Sequence, residues 1–80
     1  MKLEDGGATF SLIVYDKSLT LDELNILQSL DGVERVLSGD YTFTVTFKVD
    51  SFLDITVSTV VNAQQVIKKA LYSHEHLLTY

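Results

Sequence analysis

The sequence predicts a small α+β domain in which two helices cover one face of an antiparallel sheet. The first observation is the stretch 40–49, where apolar and polar side chains alternate without interruption from Tyr41 to Val49. Such alternation is typical of a β-strand with one buried face. The second observation is a helix start signal at Thr20. The third is an apolar stripe at helical spacing within 63–72, which predicts a second helix to cover the sheet.

The composition limits what this domain can do. The chain has 80 residues, a net charge of −5 and no cysteine. The lack of cysteine excludes disulfides, thiolate chemistry and cysteine-ligated zinc. The six Lys and Arg residues are too dispersed to follow a phosphate backbone. No apolar run is long enough to span a bilayer, and no signal-peptide pattern is present. We therefore expect one cytoplasmic domain over 1–80, with no nucleic-acid or membrane partner.

The first strand follows a short lead-in. Residues 1–7 combine charge with two glycines and lack periodicity, so we expect a flexible tail. Residues 8–16 then alternate as a strand. One face of this strand carries Phe10, Leu12 and Val14, and the other carries Ser11, Ile13 and Tyr15. Because both faces include apolar residues, the pattern indicates a central strand that is covered on both sides.

The first helix is predicted from its start and its stripe. Thr20 is the predicted N-cap, and Glu23 three residues later completes a capping box. Gly32 is expected to end the helix with a positive φ. The predicted apolar stripe consists of Leu21, Leu24, Leu27 and Leu30.

A short edge strand and a hairpin turn precede the 41–49 strand. The predicted strand 33–37 has a mixed pattern, with Val33, Arg35 and Leu37 on one face and Glu34 and Val36 on the other. The turn is predicted at 38–40, with Gly39 at positive φ.

The C-terminal part contains two segments that the pattern leaves open. In 50–58, apolar residues alternate as in a strand but also fit one face of a long helix, and the β-branched content favours a strand or an extended lead-in. A second helix is predicted over at least 63–72, with Asn62 as its N-cap. Residues 73–80 fit either a frayed helix or a last strand, and their apolar residues favour a strand over 76–80.

Together these elements give the order β-α-β-β-α-β, which is the ferredoxin-like pattern of a two-layer sandwich. We predict an antiparallel sheet of strand order 4-1-3-2, with both helices on one face and right-handed crossovers. The predicted core consists of Phe10, Leu12, Val14, Leu24, Leu27, Phe43, Val45, Phe47, Ile67 and Leu71.

The stretches 32–36 and 41–47 resemble the second and third strands of heavy-metal-associated domains and of ACT-type regulatory domains. The former carry a metal-binding Cys-x-x-Cys after the first strand, whereas 16–20 reads Asp-Lys-Ser-Leu-Thr here. The resemblance therefore does not imply copper chemistry. The ACT-type resemblance implies a small ligand, often an amino acid, bound between paired domains, but no residue here matches a ligand motif.

The outward face of the sheet is the first candidate site. If the inner side chains of the first strand meet the helices, Ile13 and Tyr15 face outward beside Thr42, Thr44 and Thr46. This patch is part apolar and part hydroxyl, which suits a protein interface. The sequence therefore predicts a homodimer through this face.

A pair of histidines is the second candidate site. On a strand, His74 and His76 would point the same way and could share zinc or nickel, whereas on a helix they would diverge. The alternative is a polar, partly solvated C-terminal segment.

The function classes follow from these sites. No set of nucleophile, base and orienting residue is visible, and no cofactor is predicted. The sequence favours a non-catalytic binding or assembly module that self-associates through its sheet. The alternatives are a small-ligand- or metal-binding regulatory domain and a small enzyme that uses the open sheet face.

Overall fold

A computed structural model describes residues 7–79, and over 73–79 it describes the backbone only. The elements in chain order are β1 (Ala8–Tyr15), α1 (Leu21–Gln28), β2 (Val33–Gly39), β3 (Thr42–Val49), a short 3-10 helix (Phe52–Asp54) and α2 (Val57–Thr79). This is the predicted α+β class, with a three-stranded antiparallel sheet and two helices. Apart from Gly7, the predicted tail lies outside the described residues.

β3 is the central strand of the sheet. The strand order is β1-β3-β2, and both pairs are antiparallel. The 1-3-2 part of the predicted order is therefore confirmed. On the β1 side, Leu12 lies opposite Val45 and Ile13 opposite Thr44.

The core lies between the sheet and both helices, and it agrees with the prediction. Six of the predicted core residues are buried: Leu27, Phe43, Val45, Phe47, Ile67 and Leu71. The other four are partly buried and pack against them: Phe10, Leu12, Val14 and Leu24. Because side chains from α1 and α2 belong to one cluster with the same sheet face, both helices cover that face.

The capping box of α1 is confirmed. Thr20 Oγ1 accepts the Glu23 N–H at 3.2 Å, and Glu23 Oε1 accepts the Thr20 N–H at 3.0 Å. The predicted stripe is wrong at Leu21, which is 74% exposed. Leu21 lies about 200° around the helix from buried Glu23, since each residue turns the helix by about 100°. The helix itself stops at Gln28, and Gly32, with φ of 86°, serves the turn into β2.

The β2–β3 hairpin differs from the prediction in two ways. The register shifts between Val33 and Arg35, so a bulge at Glu34 places Val33 on the inner face together with Val36. The turn consists of residues 40–41, because β2 extends through Gly39. Tyr41, and not Gly39, has the positive φ, at 61°. Alternation in the sequence cannot reveal an inserted residue, which is why the predicted face of Val33 was wrong, whereas Arg35, Val36 and Leu37 lie on the predicted faces.

Helix α2 extends in both directions beyond 63–72, the minimum range that the sequence predicts. Thr56 Oγ1 accepts the Thr59 N–H at 3.2 Å and so caps the helix, which leaves Asn62 inside it. The segment 50–58 forms the 3-10 helix and the first turn of α2, not a strand. Positions 76–79 continue α2, so the described residues contain no fourth strand, and the β-α-β-β-α-β order is not matched. No glycine or proline follows Gly39, so nothing in the sequence interrupts this helix.

Among the described residues, no helix is long and apolar enough to cross a membrane.

Candidate functional site

The structure brings together the residues predicted for the outer face of the sheet. Tyr15 lies opposite Thr42, Ile13 lies opposite Thr44, and Thr46 lies opposite Ser11. These positions alternate with the core residues, so their side chains lie on the face away from the helices. Their role in an interface stays a prediction.

Leu37 belongs to the same surface, although the sequence analysis did not include it. It lies opposite Thr44 on the β2 side, so Leu37, Thr44 and Ile13 form one row across the three strands. Ile13 is 53% and Leu37 57% exposed. The signal that could have found Leu37 is its register with Thr44, which follows from the two-residue turn at 40–41 because Gly39 lies opposite Thr42. We define the outer patch as Ile13, Tyr15, Leu37, Thr42, Thr44 and Thr46.

The outer patch is suited to packing and hydrogen bonding, not to proton transfer. The Ser11 and Thr46 hydroxyl oxygens are 2.8 Å apart and share a hydrogen bond. The three threonines are half-buried beside exposed apolar neighbours. The patch contains no carboxylate, imidazole or amine, so it lacks the groups that general acid–base catalysis uses near neutral pH.

Charged residues lie at both ends of the sheet. At one end, Arg35 lies opposite Thr46, and Lys48 is the next outward residue of β3. At the other end, Asp16 follows β1 and Asp40 lies in the hairpin turn. All four charged residues are exposed. Glu34 and Asp50 are also exposed at the first end, and Lys17 follows Asp16 at the second, so each end of the sheet carries charges of both signs.

A groove lies between β1 and α2, on the inner side of the sheet. Its volume is about 370 Å³, and its apolar lining includes Leu12, Val14, Phe43, Ile67 and Leu71. Lys68 and Tyr72 also line it, and Tyr72 is 69% exposed. The sequence pattern does not predict this groove, because the groove depends on the packing of α2 beside β1, where the described residues contain no further strand.

Glu23 is the only buried charged residue among those described, and its carboxylate makes contacts that stabilise the start of α1. Lys17 Nζ lies 3.2 Å from Glu23 Oε2, in addition to the capping contact with Thr20. Burial raises the pKa of the Glu23 carboxyl, but the Thr20 backbone N–H and the Lys17 ammonium group outweigh it, so the pKa is lowered from its ordinary value of 4.5. A carboxylate held ionised by fixed partners supports the start of α1 and is a poor proton donor.

The predicted metal pair falls in the part of α2 whose side chains lie outside the described residues. The backbone is helical at His74 and His76. In the described part of the chain, no group of three or more metal-ligating side chains is present. Metal binding by this pair stays a prediction.

A separate group of exposed apolar residues lies before and at the start of α2. Phe52 is 70%, Leu53 74% and Val57 81% exposed. This segment connects β3 to α2 and does not belong to the outer patch. Exposed apolar surface is therefore not confined to the sheet, which makes Phe52 a useful control position.

Comparisons with protein-family models, with curated proteins and with solved structures returned no match.

Proposed function

We propose that this chain is a non-catalytic assembly module that self-associates through the outer patch. The observation that carries the proposal is the row formed by Leu37, Thr44 and Ile13, which places two exposed apolar side chains across the middle of the sheet. Single exposed apolar residues are common on protein surfaces, but a contiguous group on a regular sheet face is typical of an interaction site. Threonine hydroxyls fit such a site because they pack closely and still form hydrogen bonds.

The size of the sheet sets the expected strength of this dimer. An eight-residue strand is about 27 Å long and three strands are about 14 Å wide, so the flat footprint is about 380 Å² per copy. A standard stable interface buries about 800 Å² per partner. We therefore expect a weak dimer that forms in the micromolar range or above.

Sedimentation velocity over roughly 1–500 µM tests the proposal. The expected result is a shift from the 9.0 kDa monomer to at least twice that mass. Leu37→Glu should raise the dissociation constant by about 100-fold, because two-fold symmetry buries two unpaired carboxylates in one interface. The matched control Phe52→Glu also adds a charge at an exposed apolar position, but it lies outside the patch and should leave the dimer unchanged. A monomer throughout, or equal effects of both variants, contradicts the proposal.

A small-ligand-binding function is the second candidate, and the groove between β1 and α2 favours it. Its volume of about 370 Å³ lies in the range of small-molecule sites, and its lining is mainly apolar with Lys68 available for an anionic group. Titration with the apolar anion 8-anilinonaphthalene-1-sulfonate, followed by fluorescence, tests this function. Binding that Lys68→Glu weakens and Leu37→Glu leaves unchanged would support it, and no saturable binding would contradict it.

We also infer that the fold is a ferredoxin-like arrangement, of which the described residues contain every element but the last strand. Two features support this relationship: the strand order β1-β3-β2 and the packing of both helices on one sheet face. In the complete arrangement the last strand pairs with β1. That position is the edge of β1 beside the groove.

A further inference from the structure

In the part of the chain that the structure describes, no strand pairs with the outer edge of β1. β1 is an outer strand of the sheet. The Asp16 N–H donates to Tyr41 O at 2.7 Å, and on the other side of β3 the Lys48 N–H donates to Gly32 O at 2.8 Å. Because hydrogen bonds alternate in direction along an antiparallel ladder, the even-numbered residues of β1 bond to β3. The outward N–H and C=O groups are therefore those of Thr9, Ser11, Ile13 and Tyr15.

The opposite edge of the sheet, along β2, is protected. The outward N–H of Val36 donates to Gln28 Oε1 at 3.1 Å, and Gln28 Nε2 donates to the Glu34 carbonyl at 3.4 Å. The register shift between Val33 and Arg35 interrupts the strand there. Side-chain caps, bulges and charges are the features that prevent an edge from pairing with another strand.

Among residues 7–79, none provides such protection for β1. Its sequence, ATFSLIVY, contains no charge and no proline, and its register with β3 is regular over all eight residues. Its inner side chains Leu12 and Val14 are only partly buried and line the groove, whereas Val45 beside them on β3 is fully buried. A long, uncharged edge strand beside an apolar groove is a favourable site for strand addition.

We propose that the β1 edge and the adjoining groove bind β1 of a second copy of this chain, in antiparallel orientation, with Leu12 opposite Leu12 at the two-fold axis. In this register Phe10 lies opposite Val14 of the second copy on the inner face. The outward N–H and C=O groups of Ser11 meet those of Ile13 of the second copy. No charges oppose one another, because β1 is uncharged. Phe10 of the second copy adds apolar surface at the side of the groove.

A second copy of this chain is the partner that we infer for the β1 edge, because two copies form a closed assembly. Two copies use both unprotected β1 edges and produce a six-stranded sheet whose outer strands are the protected β2 edges. Such a two-fold pair is closed and does not propagate into fibres. The contact uses the backbone edge and the inner face of the sheet, so it is independent of the outer patch.

Engineered cysteines test the register directly, because the chain has no cysteine of its own. Opposed residues at a non-hydrogen-bonded position are about 4.5 Å apart between Cα atoms, which permits a disulfide. Leu12→Cys should therefore form a covalent dimer with oxidised glutathione. In Val14→Cys the two cysteines are about 14 Å apart and should form a disulfide at least about 10-fold more slowly. Equal rates for the two variants, or no covalent dimer in either, overturn the register.

Sedimentation of a second pair of variants separates this contact from the outer patch. Ser11→Pro removes an outward N–H at the centre of the edge, whereas Ser11→Ala removes only the hydroxyl. In a Leu37→Glu background, Ser11→Pro should abolish the remaining dimer and Ser11→Ala should preserve it. If the single variant Leu37→Glu is a monomer and the single variant Ser11→Pro still dimerises, the outer patch is supported and the edge contact is overturned. A monomer in every case overturns both.

Amide hydrogen exchange of the unsubstituted protein gives a readout that does not depend on how variants fold. As concentration rises through the dimerisation range, the amides of Thr9, Ser11, Ile13 and Tyr15 should become at least about 10-fold slower to exchange. Dimerisation that leaves these four amides unprotected overturns the proposal.

Discussion

Replacement of Glu23 tests whether its buried carboxylate stabilises the folded protein. Its residue is 4% exposed, and it contacts both the Thr20 N–H and the Lys17 ammonium group. Loss of a hydrogen bond to a charged group costs about 1.5–3 kcal/mol. The Lys17 pair adds less than about 1 kcal/mol, because the Lys17 side chain is 31% exposed and screened by solvent. We therefore expect Glu23→Ala to lower the free energy of unfolding by about 2–3 kcal/mol.

Glu23→Gln isolates the contribution of charge. The amide oxygen can still accept the Thr20 N–H, so we expect a loss of only about 1 kcal/mol at neutral pH. The folded-state pKa of Glu23 is lowered from 4.5. A lowered carboxyl pKa contributes stability that is fully present above the unfolded-state pKa and is lost as pH falls through the folded-state pKa. The difference between wild type and Glu23→Gln should therefore disappear in acid.

Urea unfolding followed by circular dichroism at neutral pH and at roughly pH 2.5 measures both effects. The control is Asp22→Asn, which changes an exposed acid in the same helical turn and should cost about 0.3–1 kcal/mol through the helix dipole alone. If Glu23→Gln matches Glu23→Ala at neutral pH, the capping hydrogen bond requires the charge. If the gap between wild type and Glu23→Gln persists unchanged in acid, the assignment of the lowered pKa to the folded state is refuted.

Two further predictions concern the sheet and are also read by urea unfolding. Tyr41→Gly should raise the free energy of unfolding by about 0.5–1 kcal/mol, because Tyr41 has a φ of 61° that glycine adopts without strain. The control Tyr41→Ala keeps the β-carbon, so an equal gain in Tyr41→Ala would refute the explanation by backbone strain. Phe47→Ala should cost about 3–5 kcal/mol, because Phe47 is 7% exposed and stacks on Phe10 with ring centroids 5.3 Å apart. The control Phe52→Ala, at a 70% exposed position, should change stability by less than about 0.5 kcal/mol, and a comparable loss there would remove the burial argument.

The capping box and the central strand were predictable because both depend on neighbours in the sequence. The contact between Thr20 and Glu23 joins residues three positions apart. The alternation from Phe43 to Phe47 follows from the geometry of one strand, so it identified the buried face of β3 and, with β1, most of the core. The outer patch was predictable for the same reason, except for Leu37.

The errors arose where two elements had to be placed against each other. The bulge at Glu34 changes the face of Val33, and it depends on pairing with β3. The choice between helix and strand in 50–58 and 76–79 was open because β-branched and apolar residues fit both patterns. The cap at Thr56 and the lack of any later glycine or proline decide for the helix.

By itself, the sequence determined the local structures: the start of α1, the two faces of β1 and β3, and the apolar side chains that form the core. Only the tertiary structure decided which edge of the sheet is protected. Gln28 and Val36 are eight positions apart, and their hydrogen bond exists because α1 packs beside β2. The groove beside β1 likewise joins Leu12 to Ile67 and Leu71 on a distant helix. Contacts between distant residues are set by the packing of whole elements, so no periodicity within one element predicts them.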